Sequence, residues 1–452
     1  MRIIPSLEDM SPTQEVTTTV ESTGFVTVDI STTAQPARSR SRRRWMLAAT
    51  LAVWGPGIIV MLADGDAGCL ITAAQSGAQW GYRLVLPSLL LIPILYMVQE
   101  MTVRLGIHTG KGHGALIRER FGQRWAMVSA GPMILSALGT LTVEFVGVAG
   151  VGEIFGISRW VTVPVATVFL ISLAFTRNYR RVERVGIAVG LAELTFIPAM
   201  VLAHPSAHGI AASFGSQPLG NHSYMLLLAA NAGAVIMPWM VFYQQHAVID
   251  KGLKPANIPS ERRDTMVGAF LTQFIMISVM ILMAATIGKT NSNAPLNSVG
   301  QIADALQSFI GHNQASILVG AGILGGALVS ALVVSVAGSW GLSEVFGWRH
   351  SLNERPNRET AKFYATYAMA HIAGALLVLF SVDLISLAVD VEILNALMLP
   401  LVLGFLLLLE AKALPEAYRM RGLHRVIVTG LCSFVMVLGV YTAIPVMHSV
   451  LG

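Results

Sequence analysis

Apolar runs long enough to cross a bilayer recur eleven times along this 452-residue chain, and that repetition limits what it can fold into. The runs lie at about 45–76, 84–104, 125–151, 160–176, 185–204, 224–249, 265–288, 315–346, 361–382, 385–411 and 425–448. Lipid offers no water to unpaired amides and carbonyls, so a segment at that depth must close its hydrogen bonds within itself. Runs of this length do so as helices, and the expected fold class is an all-α polytopic membrane protein with about 11 transmembrane helices. Composition agrees: 12% of residues are charged and 54% hydrophobic, where a soluble protein would be about 25% charged.

Residues 1–44 read as a disordered basic cytoplasmic tail. They are polar, rich in Ser and Thr, without the apolar stretch of a signal peptide, and end in the run RSRSRRR at 38–44. Residues 45–452 read as the transmembrane domain. The net charge of +5 and pI near 9.3 are no sign of nucleic acid, because the basic residues fall between apolar runs. With the amino terminus inside, all Lys and Arg except Arg83, Arg159 and Lys289 lie on the cytoplasmic side. That bias predicts an integral plasma (inner) membrane protein with its amino terminus cytoplasmic and its carboxyl terminus outside. Cys69 and Cys432 stand far apart in apolar segments and form no disulfide or zinc-knuckle pattern. Nothing in the chain pairs a nucleophile with a base or builds a phosphate loop, so an enzyme is not expected. No cofactor and no obligate protein partner are expected either. The bilayer is the evident surrounding.

Two runs carry breaks at their centres. The first contains DGDAGC, with Asp64 and Asp66, and a carboxylate at bilayer depth costs about 2.5–3.5 kcal/mol on insertion scales. The sixth contains NAGAVIMPWMVFYQQHA at 231–247, with Gly233 and Pro238. They lie five spans apart, the spacing of two inverted repeats at about 45–204 and 224–411 followed by an extra helix at about 425–448. Interrupted helices at matching positions of two halves point to a transporter's binding site, where unwound carbonyls and half-helix ends hold an ion. Asp64 and Asp66 would point about 200° apart on an intact helix. Asp64 is therefore expected to line a vestibule or pair with another segment unless the helix is unwound. Glu144 and Glu193 fit either of two roles, a hydrogen bond between packed helices or a part in transport.

GPG (55–57) with Asp66 nine residues on, GAQWGY (77–82), QEMTVRLGIHTGKGHGALIRERFG (99–122), VEFVG (143–147) and GAVIMP (233–238) together resemble the NRAMP family of divalent metal transporters. The resemblance implies a LeuT-type 5+5 inverted repeat with broken helices 1 and 6, and a divalent metal ion as substrate. The family's DPGN reads DAGC here, so Asp66 matches its metal-binding aspartate, Gly68 its glycine, and Cys69 stands in place of asparagine. The family's MPHN reads MPWM, so Met237 matches the thioether ligand, Ala234 the carbonyl donor, and Trp239 replaces a histidine. A second family histidine is Gln244, and the aspartate three residues before Glu144 is Leu141. A glutamine near the metal falls at Glu392, by spacing to Pro400. The expected metal-contacting set is therefore Asp66, Met237, Ala234, Ala63, Glu392 and Cys69. Asp64, Gly68, Gly233, Pro238, Gln99, Glu144, Trp239 and Gln244 support the pathway or the breaks. Gln99 is expected, by resemblance, to order the unwound turns. Cys69 reads equally as a small buried hydrophobe.

Trp239, Gln244 and Leu141 each replace a group able to carry a proton, and the arginines of the family's ninth span are missing from FYATYAMAHIAGALLVLF. Weak or absent proton coupling is the expectation, with His246 and His371 as structural residues or a rebuilt route. Ligand type is mixed. Met237 and Cys69 are soft, while Asp64 and Glu392 add carboxylates that suit a hard ion. The chain is thus expected to be a secondary transporter or uniporter moving Mg2+ or Mn2+ into the cytoplasm. The alternatives are a proton-coupled Mn2+/Fe2+ importer, an amino-acid transporter of the same architecture, and a sensor built on the same fold.

Overall fold

The computed structural model of the protein describes residues 16–20, 26–30, 56–174, 190–290, 295–348 and 357–451. The basic run at 38–44 and the loop TRNYRRVER at 176–184 lie outside these residues. Two units divide the chain, 1–53 and 54–452. The first contains β1 (Val16–Val20) and β2 (Val26–Ile30), paired antiparallel with Val16 opposite Ile30. The tail reading did not foresee this hairpin, although VTTTV and VTVDI are β-branched runs of the kind that favour strands.

The described residues of the second unit form helices joined by turns and loops, including the short helices Ala207–Ser213 and Ile287–Thr290 besides those named below. In chain order it comprises α1 (Pro56–Asp64), α2 (Ala67–Trp80), α3 (Val85–Thr109), α4 (His113–Phe121), α5 (Gln123–Ile154), α6 (Arg159–Ala174), α7 (Phe196–Leu202) and α8 (His222–Val235). It continues with α9 (Pro238–Asp250), α10 (Ile258–Ala285), α11 (Gly300–Ile310), α12 (His312–Phe346), α13 (Ala361–Phe380), α14 (Leu384–Ala413) and α15 (Gly422–Leu451). Among the described residues, eight helical runs are long and apolar enough to cross a membrane, and Arg159–Leu173 and Leu191–Leu202 are shorter apolar helices. The run Ala67–Thr109 joins two predicted spans, because the 3-10 turn Gly81–Leu84 carries α2 into α3. Helices α4 and α11 stand between spans and were not predicted.

Both expected breaks are present. α1 stops at Asp64 and α2 restarts at Ala67; α8 stops at Val235 and α9 restarts at Pro238. Proline suits that restart because the first position of a helix has no intrahelical use for its N–H. Asp66 is the N-cap of α2, and Met237 is the N-cap of α9.

Helices approach closely at small residues. A Cβ on Gly77 of α2 would stand 2.1 Å from the Met280 carbonyl oxygen of α10, and one on Gly233 of α8 2.0 Å from the Glu392 carbonyl oxygen of α14. These crossings set α10 against α1–α2 and α14 against α8, which brings Glu392 to the break region. Small interfacial residues of this kind let helix backbones pack without a hydrophobic driving force.

The ends of α3, α9, α12 and α14 gather in a polar collar. Arg104 reaches Glu100 at 2.8 Å, Glu410 at 3.4 Å and the Tyr418 carbonyl at 2.6 Å, while Arg262 pairs with Glu100 at 2.7 Å. Glu344 takes His246 Nδ1 at 2.6 Å and the Gly114 amide at 3.1 Å. Burial of His113 on α4 pushes its imidazole down to about 4, so it is neutral near pH 7 and donates through Nδ1 to Gln245 Oε1 at 3.0 Å.

Replacing Gly77 by Ala drives a methyl into the Met280 carbonyl and is expected to destabilise the protein by about 1–3 kcal/mol. Gly404 of α14, beside which a Cβ meets nothing within 4 Å, is the control: Gly404→Ala should be neutral or stabilising by up to about 1 kcal/mol. Thermal unfolding of the two variants in detergent measures the difference.

Candidate metal site

The unwound turn Gly65–Asp66 sits at the junction of four helices, and its backbone groups are taken up one by one. Asp66 Oδ1 accepts from the Cys69 amide at 2.6 Å, capping α2 from within. The Ala67 amide donates to Glu144 Oε2 of α5 at 3.2 Å. On the other side, the Met61 carbonyl of α1 accepts from the Gly65 amide at 3.3 Å and from the Thr272 hydroxyl of α10. Glu144 thus supplies a helix-packing bond, one of its two expected roles, and fastens α5 to the start of α2.

The two breaks touch. Cys69 Sγ donates to the Ala234 carbonyl oxygen at 3.0 Å, so the thiol engages the carbonyl expected to face the metal. Met237 Sδ is also occupied: Trp239 Nε1 donates to it at 3.1 Å and Thr140 Oγ1 at 3.5 Å. Trp239, where the resembled pattern has a histidine, therefore places an N–H donor on the thioether.

Gly68 is the hinge of the carboxylate arrangement. A Cβ there would lie 2.3 Å from Glu392 Oε1, 2.9 Å from Val143 Cγ1 and 3.3 Å from Asp66 Oδ1. The two carboxyls of Asp66 and Glu392 consequently approach the same point on α2, with no room for any larger residue than glycine. Asp66 Oδ2 and Glu392 Oε1 have no hydrogen-bond partner among the described residues, while Glu392 Oε2 accepts from Asn395 Nδ2 at 3.0 Å. Ala63, Asp66, Cys69, Ala234, Met237 and Glu392 are all fully buried. Four of them (Asp66, Cys69, Ala234 and Glu392) are drawn together by direct contacts, and Met237 stands at the second break three residues from Ala234. Ala63 lies in the last turn of α1, before the break.

Other expectations resolve differently. Asp64 neither lines an exposed vestibule nor pairs with another segment. It is fully buried at the end of α1, and among the described residues neither carboxyl oxygen has a hydrogen-bond partner. Among the same residues the Gln99 and Gln244 amides have no hydrogen-bond partner either. His371 bonds its own helix through the Tyr367 carbonyl at 2.9 Å and packs on Phe145, which is the structural role. Among the described residues no three His, Cys, Asp or Glu side chains form a ready-made metal cluster. The donors here are carboxylate, carbonyl and thioether in mixture. Sequence reasoning missed Thr140 and the Thr272–Met61 bond, for which an isolated Thr in an apolar run gives no signal.

Residues 57–445 match the family described as Nramp, natural resistance-associated macrophage protein-like. A divalent metal cation transporter MntH from Burkholderia ambifaria is 27% identical over 316 residues, which are 65% of this chain and 70% of that one. Among solved structures, an Eremococcus coleocola manganese transporter superposes with a TM-score of 0.71 at 18% identity, covering 90% of this chain and 88% of that one. Mhp1, a nucleobase-cation-symport-1 family transporter, superposes with a TM-score of 0.57 at 13% identity, over 87% of this chain and 91% of its own. The fold is the LeuT-type arrangement that these transporters share, with the breaks in its first and sixth helices.

Substituting Glu144 by Leu strands the buried Ala67 amide, which costs about 1–3 kcal/mol. Glu144→Gln keeps an oxygen acceptor and should lose less than half of that. Chemical or thermal unfolding of the purified variants checks the order.

Proposed function

The chain belongs to the Nramp family, and from that premise we propose that it carries divalent metal ions, Mg2+ or Mn2+, into the cytoplasm without strong proton coupling. One observation carries the reading: the carboxyls of Asp66 and Glu392 converge on Gly68 beside two touching helix breaks, each with an unpartnered buried oxygen. Buried charge of this kind is tolerated where a cation is its partner. In this reading Asp66 is the principal ligand, Glu392 adds a second carboxylate, and a carbonyl from the breaks completes the set.

The state of Met237 favours the harder of the two ions. Its sulfur holds two donors, Trp239 N–H and Thr140 O–H, and must release at least one to bind a metal. That penalty falls on ions that prefer thioether and spares Mg2+, which takes oxygen and water. The position of Met237 at the break, and the manganese transporter among the solved structures, favour Mn2+ as the second reading.

Leu141, Trp239 and Gln244 are all fully buried and none of them titrates, which supports uncoupled entry. The membrane potential supplies the drive. It is worth about 2.3 kcal/mol per elementary charge per 100 mV, or about 4.6 kcal/mol for a divalent ion, enough for more than a thousandfold accumulation. The charge bias between spans supports a cytoplasmic position for the Arg104–Glu100–Arg262 cluster.

Uptake into proteoliposomes under an imposed potential, with an internal pH dye, tests this directly. Asp66→Ala is expected to abolish uptake of either metal, and lumenal acidification in step with metal entry would refute the uncoupled mechanism. Trp239→Phe removes one donor from the Met237 sulfur, a bond worth about 0.5–1.5 kcal/mol, and should raise Mn2+ uptake relative to Mg2+ about two- to tenfold. An unchanged ratio would show that the thioether plays no part in selection.

A further inference from the structure

Where α3, the start of α10 and the start of α15 meet, they leave a pocket of about 230 Å3 that the metal site does not use. One side is apolar, built from Met97 and Met101 of α3, Met420 in the turn before α15, and Val428 of α15. The other side is Glu100, Arg262 and His424. Glu100 is no open anion there. Its Oε2 is held by Arg104 Nε at 2.8 Å, and its Oε1 by Arg262 Nε at 2.8 Å and Nη2 at 2.7 Å. Arg262 thus spends two nitrogens on a single oxygen, and among the described residues no acceptor bonds its Nη1.

More positive charge stands around the mouth. Arg263 directly follows Arg262, Arg421 lies three residues before His424 and Arg425 directly after it, and all three are exposed. Helix α15 begins at Gly422, between the lining residues Met420 and His424, so the positive pole of a long helix lies at the same place.

Exposed apolar side chains lead away from the pocket into the spans. On α10, Met266 and Phe270 follow Arg262 at four-residue steps, and on α3, Leu90 lies two turns before Met97; each is more than half exposed. Residues at these spacings share one face of a helix, so the track on α10 runs about 12 Å from Arg262. A cationic mouth that opens onto an apolar, membrane-facing track is matched by an amphipathic anion. A free anion would leave the methionines and the track uncovered. The pocket is smaller than the roughly 300–1,000 Å3 that enclose a whole small molecule, so it takes a headgroup while the chains lie outside. Basic pockets between spanning helices bind lipid headgroups in this way.

We propose that the pocket between α3, α10 and α15 binds the phosphate-bearing headgroup of an anionic phospholipid. Arg262 and His424 meet the phosphate, and an acyl chain lies along Met266 and Phe270. The lipid joins α15 to α10, the helix that packs on Gly77 and bonds the Met61 carbonyl beside the first break.

Native mass spectrometry of the purified full chain, titrated in detergent with phosphatidylglycerol or phosphatidylcholine, counts the bound lipid. One phosphatidylglycerol is expected to be retained at concentrations where phosphatidylcholine is not, and to raise the melting temperature. Arg262→Gln keeps a donor for Glu100 but removes the charge, so affinity for phosphatidylglycerol should fall about fivefold. Val428→Phe fills the pocket without touching charge and should lower affinity by a similar factor. Arg124→Gln, an exposed arginine on α5, should leave it unchanged. If Arg262→Gln does not fold, His424→Ala takes its place, with loss of affinity again expected. Equal retention of the two lipids overturns the proposal. Wild-type affinity in folded Val428→Phe, or a loss in Arg124→Gln as large as in Arg262→Gln, also overturns it, since either marks attraction to surface charge alone. So does a melting shift reproduced in full by inorganic phosphate, because the site then takes the anion and not the lipid.

Discussion

The hydrogen bond from the Ala67 amide to Glu144 Oε2 is the contact on which the site depends. Interrupting a helix inside a membrane leaves amides and carbonyls that water cannot reach, and each stranded group costs several kcal/mol in lipid. The break survives because its amides are answered by side chains: Ala67 by Glu144, and Cys69 by Asp66 itself. Glu144 comes from α5, so the break is fastened to a helix that itself packs on α12. The Met61 carbonyl is answered by the Thr272 hydroxyl of α10. Two separate helices, α5 and α10, thereby define where α1 may stop and α2 may start.

The two breaks hold each other by unlike means. At the first, carboxylate oxygens accept from backbone amides. At the second, α9 begins with a proline and an N-cap methionine that offers no side-chain oxygen, so its neighbours do the capping. The Cys69 thiol is donated across to Ala234, and the Trp239 indole folds back on the Met237 sulfur. Both contacts consume groups that a soft metal would use. The carboxyls of Asp66 and Glu392 are left with unengaged oxygens, so the balance of available donors tilts toward hard ligands even though the soft residues stand at the expected positions.

Much of this was legible in the sequence because it rests on local chemistry. Span lengths, the breaks at 64–66 and 236–237, the buried Asp66 and the proline restart all follow from hydropathy and backbone rules acting within a few residues. Glu392 was placed through the family resemblance, by its spacing to Pro400, and its contact with Gly68 joins two residues more than 300 positions apart. What the sequence hid was of two kinds. Short elements between spans, α4 and α11, carry no apolar run to mark them, and the β1–β2 hairpin lies in a segment whose polarity masked its β-branched pattern. The partners of single polar side chains were also hidden. Gln99 bonds nothing, Asp64 pairs with no segment, and Thr140 and Thr272 reach across helices. Those outcomes depend on rotation and crossing of whole helices, which one-residue chemistry does not encode.

The break also separates two electrostatic environments by only one residue. Asp66 stands at the start of α2, where the half-helix presents amides and its positive pole, and an anion there is favourable. Glu193 faces Gly65 at the end of α1, where the pole is negative and an anion is unfavourable without a counter-ion. One carboxylate is therefore already partly balanced by the fold, and the other is not. A cation at Asp66 must compete with the Cys69 amide for one oxygen, which moderates its grip and suits an ion that has to leave again.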